Sequence, residues 1–438
     1  MPLSISRNII GNERRDHNMK FAKLIMITAN NNNKEYIMTQ IDANIFKVEY
    51  GRVGSSYRTI EYSMYEWDSK YRSKISKGYK DVTELVEKTD LNGNSFKLPY
   101  DYISDKSIRD ILNRLYTYTD KYLKENYLIN ANDVSKAQID KAYEIIDELE
   151  KLAYSKNLDI DNINRQLINL FETIPRRMKN VKDNLIDTNV TRDEIDEKVR
   201  AELDMLKTMS DAVELKKKKQ VENFKLNEQV ENLTLDEQKT KTLENLGLIV
   251  ENVTDEDVKF IKKQLGESSN LYKNAWKITN PKTEKLFNDL LKTPEYKGSK
   301  IAHYWHGSRN QNWYNIIQTG LVTNPKGVKI TGKMFGYGIY FAPKAKKSVN
   351  YTSLEGSYWA GGSDKSGFMA LFDVALGNVL DVYEHHYWCS RTNKEEMWKH
   401  NKCHSLYAHE GKGFLYNDEV IAYDDAQVNI RYIVEISR

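Results

Sequence analysis

Residues 306–351 read HGSRNQNWYNIIQTGLVTNPKGVKITGKMFGYGIYFAPKAKKSVNY. Three short words stand in this stretch at fixed distances: H-G-S at 306–308, M-F-G-Y-G-I-Y-F-A at 334–342 and K-S-V-N-Y at 347–351. Taken singly they say little. H-G-S is a weak tripeptide, and an aromatic run of this kind is more often a buried strand than a ligand wall. Their order and spacing carry the information. A further part follows near the end of the chain, LYNDEVIAYDDAQVNIRY at 415–432, a short strand pattern that contains Glu419.

Together these parts resemble the donor-site core of the poly(ADP-ribose) polymerases, which cut NAD at its nicotinamide bond. A nicotinamide ring is flat, cationic and amide-bearing, so a site that holds it needs aromatic faces and a hydrogen-bonding pair for the carboxamide. Tyr340 and Tyr351 offer faces, Gly307 offers a backbone without a Cβ, and Ser308 and Ser348 offer hydroxyls. The resemblance implies a triad of His306, Tyr340 and Glu419. It also implies that Gly307 and Ser348 hold the carboxamide, that Tyr351 and Tyr340 flank the ring, and that His306 bonds the adenosine ribose. Ser308 and Asn312 complete the implied NAD-binding set, and Met334 and Lys347 match the wall of the acceptor pocket. Loss of nicotinamide leaves an oxocarbenium-like carbon, which a fixed anion such as Glu419 stabilises.

The same glutamate is implied to orient the nicotinamide ribose through its 2′-hydroxyl and to assist an incoming ribose hydroxyl, which favours chain growth. Two departures weigh against long polymers. HSLYAHEGKGFL at 404–415 is shorter than the loop that precedes the glutamate in the familiar eukaryotic enzymes, and Val322 replaces an arginine often found near the adenine. A mono-ADP-ribosyltransferase is therefore the nearest alternative. A non-catalytic DNA-end scaffold is the other. No G-x-G-x-x-G opens a helix after a strand, so NAD is expected as a consumed substrate and not as a recycled cofactor.

The chain has 438 residues, of which 29% are charged and 40% hydrophobic, enough for two or three domains. No long apolar run suggests a membrane span, and the first residues lack the apolar core of a secretory signal. An intracellular protein is expected, nuclear in a eukaryote and cytoplasmic or nucleoid-associated in a bacterium. Cys389 and Cys403 fit free thiols. A net charge of +3 is nearly balanced, so any affinity for nucleic acid must come from a local patch.

The expected fold class is multidomain α+β. Residues 20–87 alternate in short β-like runs with a helix over 63–76, and residues 20–100 resemble a WGR domain, a module that contacts DNA ends in DNA-dependent family members. Its signature here is Tyr50, Gly51 and Arg52, followed by Val53 and Gly54, with tyrosine in place of tryptophan. Arg58, Lys70, Arg72, Lys74, Lys77 and Lys80 add basic charge that suits phosphate. Charge alone more often describes a solvated, mixed-charge surface, and it is the Y-G-R-V-G context that favours the DNA reading.

Residues 104–214 show helical periodicity, with Ile139, Ala142, Tyr143 and Ile146 on one stripe and Ser135 as a cap. The words V-S-K-A-Q-I-D-K-A-Y-E-I-I and L-F-E-T-I-P resemble the helical regulatory domain of the same enzymes, which implies an autoinhibitory bundle. A plain helical spacer is the alternative. Residues 215–242, with the Lys216 to Lys219 run, read as a linker. Residues 243–438 read as the catalytic domain, with a first strand at L-G-L-I-V, a helix at 255–265 and a strand at A-W-K-I-T, and the resemblance implies an antiparallel split β-sheet. His385, His386, Cys389, His400, Cys403 and His404 include two H-x-x-C units, but their spacing is off the common zinc patterns and no metal is expected.

Overall fold

The computed structural model describes residues 20–28, 32–52, 56–81, 83, 103–128, 131, 134–153, 155, 157–178, 180–226, 247–323, 334–386, 388–411 and 415–438. Val53, Gly54, residues 84–102, residues 227–242 of the expected linker and residues 243–246 at the expected start of the catalytic domain lie outside them. The chain forms two compact units. The first takes the described residues up to Thr83 together with Met178–Asn184, and the second takes the rest.

The first unit is a five-stranded antiparallel sheet of β1 (Phe21–Thr28), β2 (Asn32–Gln40), β3 (Ile45–Arg52), β4 (Arg58–Ser63) and β5 (Lys80–Asp81), in the order β4-β3-β2-β1-β5. Part of the N-N-N-N-K run read as a turn belongs to β2. Alternate residues fill one face: Leu24, Tyr36, Met38, Phe46 and Val48 pack with Trp67 of helix α1 (Trp67–Ile75). That helix starts later than the sequence suggests, because Met64–Glu66 form a single 3-10 turn.

The second unit joins the helical segment to the C-terminal sheets. Helices α2 (Lys106–Asn126), α3 (Lys136–Ala153), α4 (Ile160–Thr173) and α5 (Arg192–Leu226) come first. Ile139, Ala142, Tyr143 and Ile146 are all buried on α3, and Ser135 caps it, its hydroxyl accepting from Gln138 N at 3.2 Å while Gln138 reaches back to Ser135 N at 3.0 Å. Helix α5 runs on through Lys216–Lys219 to Leu226, into the stretch read as linker. Lysine is a good helix former, so a charged run does not end a helix.

The remaining chain builds two sheets. The larger has the order β6-β7-β14-β10-β8, all antiparallel, from β6 (Ile249–Asn252), β7 (Tyr272–Thr279), β8 (Ile301–Gly307), β10 (Ser366–Ala375) and β14 (Val428–Ser437). The smaller has the order β11-β12-β13-β9, from β9 (Ile339–Phe341), β11 (Val379–Val382), β12 (Ser405–Ala408) and β13 (Glu419–Ala422). One pair, β11 with β12, is parallel. A parallel pair needs a crossover, and here the crossover carries a helix, Lys394–Asn401. Trp305 and Ala342 exchange both backbone hydrogen bonds, 3.0 and 2.8 Å, and so stitch β8 of the first sheet to the end of β9 in the second.

Helix α2 is part of this core. Its Ile111, Leu112 and Leu115 are at most 1% exposed and share one apolar cluster with Trp276, Trp313, Phe368 and Ile433. Arg114 of α2 grips Glu435 of β14 in a bidentate pair at 2.7 and 3.1 Å, with Lys273 a third partner at 3.0 Å. No core boundary therefore falls between the helical and the C-terminal segments at α2.

Candidate active site

His306 and Gly307 end β8, opposite Ala370 and Met369 of β10. His306 Nδ1 lies 2.9 Å from the Tyr340 carbonyl. A carbonyl only accepts, so Nδ1 carries the proton and the tautomer is set by the backbone of β9. Trp313, Phe341 and Phe372 meet the imidazole edge-to-face and fix its plane.

Gly307 has a reason beyond ligand access. A Cβ there would lie 2.0 Å from the Ser348 carbonyl oxygen, so only glycine lets the short helix Ala345–Val349 close on β8. Ser348 is 3% exposed and donates its hydroxyl to Trp305 O at 3.1 Å, which leaves it an acceptor toward a ligand in this arrangement. Ser308 accepts from Asn312 Nδ2 at 2.9 Å at the start of helix Asn310–Thr319.

Tyr340 sits in β9 opposite Ile421 of β13. Its hydroxyl donates to Gly336 O at 3.0 Å and accepts from Phe335 N at 3.0 Å, which braces the turn that carries Met334. Gly336 has φ +75°, a left-handed conformation that favours glycine. Met334 is 40% exposed, and its carbonyl accepts from His385 Nε2 at 3.0 Å.

Glu419 opens β13 opposite Ala408. Its Oε1 pairs with Lys347 Nζ at 2.5 Å, and both side chains are largely buried, at 13% and 12% exposure. Burial draws the Lys347 ammonium below the usual lysine value, and the Glu419 charge opposes that. The same carboxylate stands near both aromatic walls. Burial, and behind it the Glu419 charge, pushes Tyr351 up to about 12, while burial, then Tyr423 and after it Glu419, pushes Tyr340 well above its ordinary value. The structure thus brings His306, Gly307, Ser348, Lys347 and Glu419 around one site walled by Tyr340 and Tyr351.

Sequence reasoning missed what helix α5 contributes. Thr208 donates to Asn312 Oδ1 at 2.9 Å, so a residue of the helical segment touches the asparagine that holds Ser308. Arg200, paired with Asp196 at 2.5 Å, lies near enough to Tyr340 and Tyr351 for its charge to act on both. Nothing in the local sequence marks either residue.

A family profile of the poly(ADP-ribose) polymerase catalytic domain matches residues 256–438. The poly [ADP-ribose] polymerase-like protein 100L of Invertebrate iridescent virus 6 is 30% identical over 196 residues, which are 43% of this chain and 100% of that protein. The chain belongs to the poly(ADP-ribose) polymerase family. Protein 101L of the same virus is 37% identical over 163 residues, 37% of this chain and 66% of that protein. The poly [ADP-ribose] polymerase of Sarcophaga peregrina is 32% identical over 197 residues, 37% of this chain but only 19% of that enzyme. In this family the matched domain is the NAD+ ADP-ribosyltransferase, and NAD+ is its substrate.

The signature residues of the first unit occupy a mixed setting. Tyr50 is half-buried and packs on Tyr36 with ring centroids 6.1 Å apart, so its ring is partly spent on the core and not held out for stacking. Gly51 is half-buried, and Arg52 reaches Asn180 Oδ1 at 3.4 Å. Lys70 and Lys74 lie over Tyr62 and Tyr36 at 3.9 and 4.1 Å. Burial, then the charges of Lys77, Lys34 and Lys70, lowers the Lys74 ammonium, which shows how closely these cations gather.

The histidine and cysteine residues between 385 and 404 serve separate ends. Cys389 is 0% exposed in an apolar cluster, His400 pairs with Glu396, and His404 stacks on Trp398. Among the described residues no group of three His, Cys, Asp or Glu side chains is arranged to hold a metal ion.

Proposed function

We propose that this protein transfers ADP-ribose from NAD+ to proteins, itself included, that it extends the product into a chain, and that DNA ends or nicks activate it. The observation that supports the transfer is the Glu419–Lys347 pair, whose carboxylate charge acts on both Tyr340 and Tyr351. An anion fixed there meets the positive charge that grows on the ribose carbon as the bond to nicotinamide breaks and its electron pair leaves with the ring. The two tyrosine rings orient nicotinamide, Gly307 and Ser348 take its carboxamide, and His306, with its tautomer set by Tyr340 O, binds the adenosine ribose. Lys347 holds the carboxylate in place until a ribose hydroxyl of the donor or acceptor takes it over.

Regulation is supported by Thr208 and Arg200, which helix α5 brings to the donor site. In this reading the helical segment hinders NAD+ until it loosens. The DNA reading is supported by the lysines gathered around Tyr36 and Tyr62 in the first unit, a WGR-like module. Arg52→Ala is expected to weaken binding to nicked DNA and to flatten its salt dependence.

One observation favours transfer of a single unit instead. Only residues 409–418 join β12 to β13, with Gly411 N bonded to Leu415 O at 3.0 Å, which is little chain with which to shape an acceptor channel. Incubation with labelled NAD+, with and without nicked DNA, decides between the readings. A DNA-dependent ladder that disappears in Glu419→Gln supports the polymerase; one band independent of DNA supports mono-transfer. No transfer by either protein would sink both.

A further inference from the structure

Between Tyr351 and β10 the chain makes a loop whose tip carries two outward rings. Tyr358 is 75% exposed and Trp359 59%, and they stand edge-to-face with centroids 4.6 Å apart. The loop beneath them is stiff. Trp359 N and Ala360 N both donate to Asn350 O, at 3.0 and 3.1 Å, next to the Tyr351 wall of the donor site. Gly356 N donates to Gly362 O and Gly362 N to Ser357 O, each at 3.2 Å, and the buried Ser357 hydroxyl donates to Val349 O at 2.9 Å. At the feet of the loop, Asn310 N donates to Ser353 Oγ at 2.9 Å and Asn310 Nδ2 to Asp364 Oδ2 at 2.8 Å. A slack loop could turn its rings inward; this one holds a large apolar pair in water.

A cation accompanies the rings. The Arg438 guanidinium lies against Gly356 and donates to its carbonyl at 3.3 Å, two residues before Tyr358. Lys365 is exposed where the loop ends. Of the acids in the loop, Asp364 is taken up by Asn310 and Glu355 is exposed.

We infer that this loop is a second nucleotide site, outside the donor pocket, which stacks the adenine of an ADP-ribosyl group on the Tyr358–Trp359 pair and meets its diphosphate with Arg438. Aromatic rings bind bases through their faces, and Arg is suited to phosphate. An apolar peptide would cover the rings but bring no anion to the guanidinium. The inference rests on reading the pocket as a site of ADP-ribosyl transfer, which makes an ADP-ribosyl group the aromatic diphosphate present at its rim. The site would keep a unit already transferred close to the enzyme between rounds.

Titration of the full chain with ADP-ribose, read as stoichiometry by calorimetry, tests this. The native chain is expected to bind one ADP-ribose more than the Tyr358→Ala/Trp359→Ala protein, and Arg438→Gln to weaken that extra site about ten- to a hundredfold. Tyr358→Phe/Trp359→Phe should retain it. Hydrolysis of NAD+ should show the same KM in all of them, which also reports that they fold. Equal stoichiometry in the native and doubly substituted proteins overturns the inference. So does a single-stranded oligonucleotide that occupies the same rings more tightly than ADP-ribose, since the loop would then read nucleic acid. If no variant consumes NAD+, the reading of the donor pocket fails instead, and the titration, which needs no turnover, still reports on the loop.

Discussion

At Gly307 a missing methyl group decides how two elements meet. Adding one in Gly307→Ala would place it 2.0 Å from Ser348 O, which must then shift or force β8 aside. The cost of such overpacking is about 1–3 kcal/mol, so a thermal melt should show a midpoint lower by several degrees. NAD+ consumption should fall further than stability alone explains, because the shift moves Ser348 and Lys347 with the helix. Sequence words marked His306, Gly307, Tyr340, Ser348 and Tyr351 as candidate site residues. The same words could not show that Gly307 makes room for a backbone carbonyl, because Ser348 is distant in the chain. Thr208 was illegible for a similar reason: Asn312, its partner, lies 104 positions away. A threonine in the middle of a helix announces nothing.

Among the elements, helix α5 bears most on the proposed regulation. It is fastened by Arg176 and Glu202, 4% and 3% exposed, which form an ion pair, with Lys198 reaching the same carboxylate at 3.1 Å. Removing one partner of a buried pair costs about 3–5 kcal/mol. Arg176→Gln should therefore loosen α5 and raise NAD+ turnover without DNA; nicotinamide release that stays at the native basal rate would count against the hindrance reading. Glu435 gives a pH-dependent counterpart. Burial would raise its carboxyl, but the hydrogen bonds from Arg114 and Lys273 outweigh burial, and the net shift is downward. A folded-state pKa below the unfolded one stabilises above the ordinary carboxylate range, and that stability is lost as pH falls through the folded pKa. Chemical denaturation of Glu435→Gln should accordingly show a larger deficit against the native chain at pH 7 than at pH 3.5. Some elements were plain in the sequence. Asp255–Leu265 is bounded by a Thr254–Asp257 capping box and by Gly266. The parallel pairing of β11 and β12 was not, since strand direction depends on a crossover and not on local pattern.

For the molecule as a whole, the division that sequence suggests and the one that packing enforces differ. Reading by resemblance separated residues 104–214 from residues 243–438, yet Ile111, Leu112 and Leu115 of α2 lie in one apolar cluster with Trp276, Trp313 and Ile433. Periodicity revealed that α2 has an apolar face; it could not reveal what covers it. The partner is the larger sheet and its helix 310–319, and Trp276 Nε1 donates to Ser107 Oγ at 2.9 Å across the same boundary. A protease that severed the backbone anywhere in 227–246 would cut a covalent link and leave this cluster whole. The nicked protein should travel as one species through a sizing column and part into two bands only in detergent, the C-terminal piece surviving as a folded body for as long as its severed helix stays bound.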